Sequence, residues 1–434
     1  MSINRIEISN FKSFYKGSTA FGKFNVVVGA NASGKSNLVQ FFKFIKDINQ
    51  FGMDDAISMQ GGAEYLFNAN HPSERVLSGR IVNETQKVFL GSEEIGTGFE
   101  ISQNSYEIDI RASNHRTYVQ SVTDRLVNDC RFFKYKKSDE DKYEELESLG
   151  PGKVRIVNVN GVMSLDIKAP ESVDTSDLTD SIFDLRIIRD MLGGRRARLA
   201  RSESLLHISP PWVLFGFDLI ERINDIGIFD IDAKTMKKAQ PVTGRRDLEA
   251  DGSNLAAVVR RLSRNNTTRR QMANIIKSLL PFIEAISVKK LENNVIIRIR
   301  EKFESANLFP AFLLSDGTLN LTALCVVLFF ENKALKIIEE PERNVHAHLI
   351  SKVMGLMRDA SEESQILTTT HNPEMVKHAR LDELILVSRN SLGDSVLSRP
   401  GEQKGIREFL SETLGIDELY IQNILEKYQN REDA

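Results

Sequence analysis

Phe24-Asn25-Val26-Val27-Val28-Gly29-Ala30-Asn31-Ala32-Ser33-Gly34-Lys35-Ser36-Asn37-Leu38-Val39-Gln40-Phe41-Phe42 decides the fold. Residues 24–28 are an apolar, β-branched run that reads as a buried strand. Residues 29–36 keep the P-loop spacing G-x-x-x-x-G-K-[ST]. Beyond them Leu38, Val39, Phe41, Phe42, Phe44 and Ile45 recur at helical spacing. Strand, glycine-rich loop and helix thus follow in the order that a phosphate cradle requires. The glycines let the backbone wrap with its N–H groups turned inward, and the helix N-terminus adds partial positive charge. The expected nucleotide contacts are Gly29, Ala30, Asn31, Ala32, Ser33, Gly34, Lys35, Ser36 and Asn37. Lys35 is placed on the β/γ-phosphates, and the Ser36 hydroxyl on Mg²⁺.

A P-loop alone implies only a bound nucleotide phosphate; the second half of the chain is more specific. Leu335-Lys336-Ile337-Ile338-Glu339-Glu340 is an apolar strand that ends in two carboxylates. Nucleotide hydrolysis needs one carboxylate in the Mg²⁺ shell and another to orient the attacking water. Glu339 fits the first role and Glu340 the second. Gln365-Ile366-Leu367-Thr368-Thr369-Thr370-His371 is another strand, ending in a histidine positioned to contact a γ-phosphate. Strands and helices alternate here: Leu319–Phe330 reads as a buried helix, 334–338 as a strand, 348–359 as a helix, and 364–369 and 383–387 as strands. That alternation predicts an α/β fold in which the second half of the chain completes a parallel sheet.

Composition sets outer bounds. With 41% hydrophobic and 27% charged residues the chain has the balance of a globular protein with a sizeable core. Its net charge of −3 means that nucleic-acid contact must come from local patches. Cys130 and Cys325 have no metal spacing, which argues against a disulfide framework and a zinc site. No stretch approaches a membrane span, and the alternating start, Met1 to Ile8, lacks a signal-peptide core. The expectation is a cytoplasmic protein with no membrane contact.

Organisation follows from the pattern along the chain. Residues 3–8 alternate like a strand, and 51–75 are glycine-rich and irregular. From 76 to 169 short strands are expected at 76–82, 98–102, 106–111 and 131–135, with a charged loop or helix face over 136–147. Strands at 154–159 and 162–167 flank Asn160-Gly161, a hairpin signal. Helical periodicity dominates 170–286, at 180–192, 203–208, 212–226, 255–262 and 270–286. A further hairpin is expected around Glu292-Asn293-Asn294. The resulting division is 1–169 (P-loop half with an antiparallel β subdomain), 170–286 (helical insertion or lid), 287–400 (second half of the head) and 401–434 (C-terminal helices).

Several motifs carry a family resemblance. Leu314-Ser315-Asp316-Gly317-Thr318 resembles the LSGGQ-type signature of ABC and SMC ATPases. Glu339-Glu340-Pro341-Glu342-Arg343-Asn344-Val345-His346 resembles the Walker B and D-loop run of RecF- and OLD-like ATPases, and Thr370-His371-Asn372-Pro373 their switch histidine. Asp251-Gly252-Ser253-Asn254-Leu255 is similar to a helix start in the same group, as is Ile6 to Phe14. The resemblance implies an ABC-type P-loop NTPase with ATP and Mg²⁺ as ligands. It also implies a head-to-head dimer in which Ser315 and Gly317 act on the nucleotide of a second copy. A glutamine that senses Mg²⁺ belongs to this pattern, and Gln60 is its candidate. Asp316 stands where glycine is usual and Glu339 where aspartate is usual, which points to the RecF/OLD-like branch.

OLD-like relatives often carry a C-terminal Toprim nuclease, and the sequence after His371 has no Asp-x-Asp for one. Asp230-Ile231-Asp232 reads as a loop. Two arginine clusters, Arg186/Arg189/Arg195/Arg196/Arg198/Arg201 and Arg260/Arg261/Arg264/Arg269/Arg270, are candidate DNA or RNA contacts or else solvated helix faces. Different functions remain open. One is an ATP-gated sensor or scaffold of a bacterial anti-phage or abortive-infection system. It would form a homo-oligomer and control a separate effector, a nuclease or toxin encoded in the same operon. Another is a RecF-like DNA-clamping ATPase in repair or recombination. A third is a nucleotide-locked structural subunit.

Overall fold

The computed structural model describes residues 2–92, 96–139, 142–175, 204–206, 217–242, 245–303 and 307–402. The helices expected at 180–192 and beyond 403, and the cluster from Arg186 to Arg201, lie outside these residues. The chain forms two compact units, each assembled from separated segments. Unit one takes residues 1–21, 37–225 and 389–397, and unit two takes 22–36, 226–388 and 398–434.

In chain order, β1 (Ile3–Phe11) and β2 (Phe14–Ala20) make a hairpin. Then β3 (Phe24–Val28) leads through the P-loop into α1 (Lys35–Phe51) and α2 (Met53–Met59). The strands β4 (Val76–Ser92), β5 (Thr97–Ala112), β6 (Val119–Asp139), β7 (Lys142–Val159) and β8 (Val162–Lys168) follow, then α3 (Phe217–Asn224). Next come β9 (Ile226–Phe229), α4 (Ala233–Met236), β10 (Gln240–Pro241), α5 (Leu255–Leu262), α6 (Asn266–Leu279), β11 (Ile283–Leu291), β12 (Asn294–Glu301) and β13 (Phe309–Pro310). The last described elements are α7 (Asp316–Phe330), β14 (Leu335–Glu339), α8 (Ala347–Ala360), β15 (Gln365–Thr370), α9 (Pro373–His378), β16 (Leu384–Arg389) and β17 (Ser395–Ser398).

Unit one is an antiparallel sheet in the order β2-β1-β4-β5-β6-β7-β8. The phenylalanines of α1 explain its packing. Phe41 and Phe44 are fully buried against Phe11, with ring centroids 5.6 and 6.0 Å away. Asn160 and Gly161 both take positive φ, 50° and 86°, as the expected two-residue hairpin turn needs. Three expectations differ from the structure. The short strands foreseen between 76 and 135 are parts of long strands whose alternation is hidden by bulges at Glu84/Val88 and Ile101/Gln103. The charged run 136–147 is neither loop nor helix face but mostly the distal β6–β7 hairpin, where Lys136 pairs with Glu144 in register. Basic and acidic stretches that look solvated in sequence meet across strands, as in Lys134–Glu147 at 2.9 Å. The irregular 51–75 segment contains the helix α2.

Unit two is organised by parallel strands in the order β16-β3-β15-β14-β9. Its buried core joins Val26, Val28, Ile338 and Ile366 to the apolar α7 and to Ile350, Val353, Met354 and Met357 of α8. Near-continuous apolar strands are what a sheet covered on both faces demands. A small antiparallel sheet, β10-β12-β11 with β13 on β12, packs under α5 and α6 through Val295, Ile297, Ile299, Val258 and Ile276. The all-helical expectation for 170–286 meets strands here: β9 lies in the main sheet and β10 in the small one. The four-residue run Ile226-Gly227-Ile228-Phe229 is too short for periodicity to separate strand from helix. Likewise the helix expected over 270–286 stops at Leu279, ahead of Pro281, and β11 begins at Ile283. Among the described residues no helix is long and apolar enough to cross a membrane.

Candidate functional site

The order β3-β15-β14 puts three sequence signals side by side. The P-loop leaves the C-terminal end of β3, His371 follows β15 and Glu340 follows β14. Val28 is level with Thr370, and Glu339 with Thr369. The Glu340 N–H continues the ladder by donating to Thr369 O at 3.0 Å. Open α/β sheets bind ligands at the carboxyl ends of adjacent strands for this geometric reason.

The P-loop is tightly wrapped. Gly34 has φ 120° and Ala32 has φ 63°. A Cβ on Gly29 would lie 2.2 Å from Val387 O and 2.6 Å from Ser33 Oγ, so only glycine fits beside β16. The Lys35 ammonium folds back, donating to Gly29 O (2.7 Å) and Ala30 O (3.0 Å). Burial lowers its pKa, while Glu340 and Glu342 oppose that shift. Ser36 and Asn31 are exposed in the mouth of the loop. Glu339 is half-buried at the end of β14.

Around Glu340 the charges are shared. His371 Nδ1–H donates to Glu340 Oε1 at 2.8 Å, and Arg343 Nη2 donates to Oε2 at 3.2 Å. Burial pushes the Glu340 carboxyl up, but Arg343 and His371 together outweigh it and hold the pKa below the ordinary value. Glu342 is buried and receives the Thr370 hydroxyl; burial raises its pKa. Thr370 in turn accepts from Asn372 N at 2.9 Å, which ties down the loop that carries His371.

Ser315 is the N-cap of α7. Its hydroxyl accepts from Thr318 N at 3.1 Å, so the exposed helix start is ordered. Gly317 lies against the Glu340–Asn344 turn, where an added Cβ would come 2.4 Å from Asn344 O. Asn320 Nδ2 donates to Arg343 O at 2.8 Å. The resembling start of α5 is also built: Asn254 accepts from Glu249 N and donates to Asp247 O, at 2.8 and 2.9 Å. Glu342 and Arg343 lie in the run that resembles Walker B and the D-loop but have no assigned part there, Asp230 reads only as a loop, and no signal in the sequence marks Asn320.

Gln60 belongs to unit one, at the C-cap of α2. It is buried, and neither its amide oxygen nor its nitrogen has a hydrogen-bond partner among the described residues. It lines a cavity of about 840 Å³ with Lys12, Ser13, Asn37, Tyr65 and Asn68. A buried amide without partners is costly, about 1–3 kcal/mol, so an added ligand would find it ready. Among the described residues no three His, Cys, Asp or Glu side chains form a metal cage. Mg²⁺ held by one or two carboxylates and substrate phosphates needs none.

A family described as AAA domain, putative AbiEii toxin, type IV TA system matches residues 24–377. The chain belongs to this family. The matched span runs from β3 into α9 and takes in the P-loop, Ser315, Glu339, Glu340 and His371. With the P-loop at the end of β3 and this sheet order, the chain is a P-loop ATPase-type domain. A 104-residue stretch is 30% identical to Septu protein PtuA of Bacillus thuringiensis, covering 22% of this chain and 26% of that protein. The chain is also similar to solved SMC heads. The SMC head bound to the C-winged helix domain of ScpA has a TM-score of 0.46 at 16% identity, over 92% of this chain and 98% of that one. The SMC head domain from Thermotoga maritima has a TM-score of 0.39 at 16% identity, over 92% and 99%.

Proposed function

We propose that this chain is the ATP-binding and ATP-hydrolysing sensor or scaffold of a bacterial anti-phage defence system, and that it controls a separate effector through ATP-dependent association of its own copies. The observation that carries the ATPase part is the line-up of Lys35, His371 and Glu340 at the ends of three adjacent parallel strands. In this reading the backbone of residues 29–36 and Lys35 bind the phosphates, Glu340 orients the water and His371 contacts the γ-phosphate. Ser36 and Glu339 would hold Mg²⁺, which neutralises charge on the phosphates. The exposed Ser36 hydroxyl suits such a ligand.

Association rests on the other half of the site. The capped, exposed start of α7 carries the partial positive charge of a helix N-terminus. Ser315 and Gly317 would thereby complete the site of a second copy. The defence role is supported by the family's toxin–antitoxin description and by the stretch shared with Septu protein PtuA. Glu340→Gln tests the core of the reading, because it should trap an ATP-bound dimer in light scattering. A strict monomer under saturating ATP contradicts it. Pull-down of the tagged chain with and without ATP tests the effector.

One observation favours a second, nucleic-acid-binding reading. Residues 252–283 contain six Lys or Arg and no Asp or Glu. Arg264, Arg269 and Arg270 are exposed and lack ion-pair partners among the described residues. A mixed-sign solvated face would not show this bias. Loss of a duplex-DNA mobility shift at about 0.15 M salt in Arg264/Arg269/Arg270→Ala supports contact through phosphates, and no shift by the wild type removes it.

A further inference from the structure

The turn after β14 is held in a demanding conformation. Glu340 has φ 43° and Asn344 has φ 62°, both in the left-handed region that non-glycine residues seldom adopt. Tertiary contacts must therefore hold it there. Two of them come from the signature side of the same unit: Asn320 of α7 donates to Arg343 O at 2.8 Å, and Gly317 packs on Asn344 O. The start of α7 is itself tied to the end of α4, where Asp316 pairs with Lys237 at 2.5 Å. Asp230, on the loop that leads into α4, accepts from Arg343 Nη1 at 3.0 Å. The guanidinium of Arg343 thus divides its fork between two carboxylates, Asp230 and Glu340, while its own carbonyl is moored to α7.

We propose that Arg343 is a positioning residue that parks the Glu340 carboxylate, and that movement of the signature helix transfers Arg343 to Asp230 and frees Glu340 for the water. The inference rests on the ATPase reading of Glu340. In the structure each Glu340 oxygen accepts a charge-assisted hydrogen bond, one from His371 and one from Arg343. A carboxylate so engaged is held away from a new partner. Side chains of Arg343, Asp230 and Glu340 are 40%, 58% and 29% exposed. Water screening makes each pair weak, so a small shift of α7 is enough to tip the balance between them. The device links the surface that meets a second copy to the group that acts on this copy's nucleotide.

The test is steady-state phosphate release by the full chain, with Lys35→Ala as background. Arg343→Gln is expected to raise kcat about two- to fivefold with KM unchanged, the scale of one exposed ion pair. Asp230→Asn is expected to lower kcat by a similar factor, since Glu340 then keeps the whole guanidinium. Arg343→Lys should return kcat toward wild type. A merely structural role would lower kcat in both variants, and that result, or no change in either, overturns the proposal. A raised KM in Arg343→Gln with kcat unchanged also overturns it, marking a phosphate contact instead. Wild-type turnover no higher than the Lys35→Ala background sinks the ATPase reading itself, a different failure from an active enzyme whose Arg343 variants respond wrongly.

Discussion

Gly317→Ala isolates the contact that joins the signature helix to the Glu340 turn. Helix propensity argues that the change should help, since alanine is favoured over glycine in a helix by up to about 1 kcal/mol. Packing argues the opposite. The new Cβ would lie 2.4 Å from the Asn344 carbonyl oxygen. Carbon–oxygen contacts settle near 3.3–3.6 Å, so one backbone must retreat by about 1 Å. Neither can yield cheaply. Asn344 holds a left-handed conformation, and Asn320 ties the preceding carbonyl to α7. Overpacking of this kind costs about 1–3 kcal/mol, and a clash between two backbones belongs in the upper half. The net expectation is a loss of about 1–2 kcal/mol, together with reduced turnover because the Arg343 carbonyl moves. Gly355→Ala in α8 is the matched control, since its Cβ would meet nothing within 4 Å. That variant should gain about 0.5–1 kcal/mol. Urea denaturation followed by circular dichroism compares them. If Gly317→Ala is as stable as Gly355→Ala, the close approach between α7 and the turn is not present in solution.

Three further outcomes are expected. Lys35→Ala should abolish binding of a fluorescent ATP analogue in titration, because it removes the cation of the phosphate cradle; unchanged affinity refutes the site. In unit one, Asp124 is buried and accepts from Ser204 Oγ, Leu205 N, Asn158 Nδ2 and Tyr106 Oη at 2.7, 2.7, 2.8 and 3.1 Å, and burial raises its pKa above 3.8 despite them. The folded state therefore binds this proton more tightly than the unfolded chain, so the wild-type advantage over Asp124→Asn should shrink as pH rises from 3.8 to the higher folded value; denaturant midpoints that diverge the other way refute it. Burial pushes both Cys130 and Cys325 up to about 12, so iodoacetamide at mildly alkaline pH should label neither thiol in the native protein and both after denaturation.

The local sequence was enough for everything that depends on neighbours in the chain. The apolar run 24–28, the glycines and Lys35 specify strand, cradle and helix start. Ser315 specifies a helix cap, and Asn160-Gly161 a hairpin turn. These features need only backbone preferences and short-range hydrogen bonds. The charge pairing of 136–147 was not legible, because each charge finds its partner across a hairpin. Nor was the strand β9, whose four residues have no period of their own. The site was legible as motifs but not as an arrangement. Lys35 lies some three hundred residues from Glu340 and His371, and only the order β3-β15-β14 sets the three side by side. Arg343, Asp230 and Asn320 carry no motif that announces their part. Their role exists because the fold brings a helix start, a strand end and a loop to one turn, and because two carboxylates there must share one guanidinium.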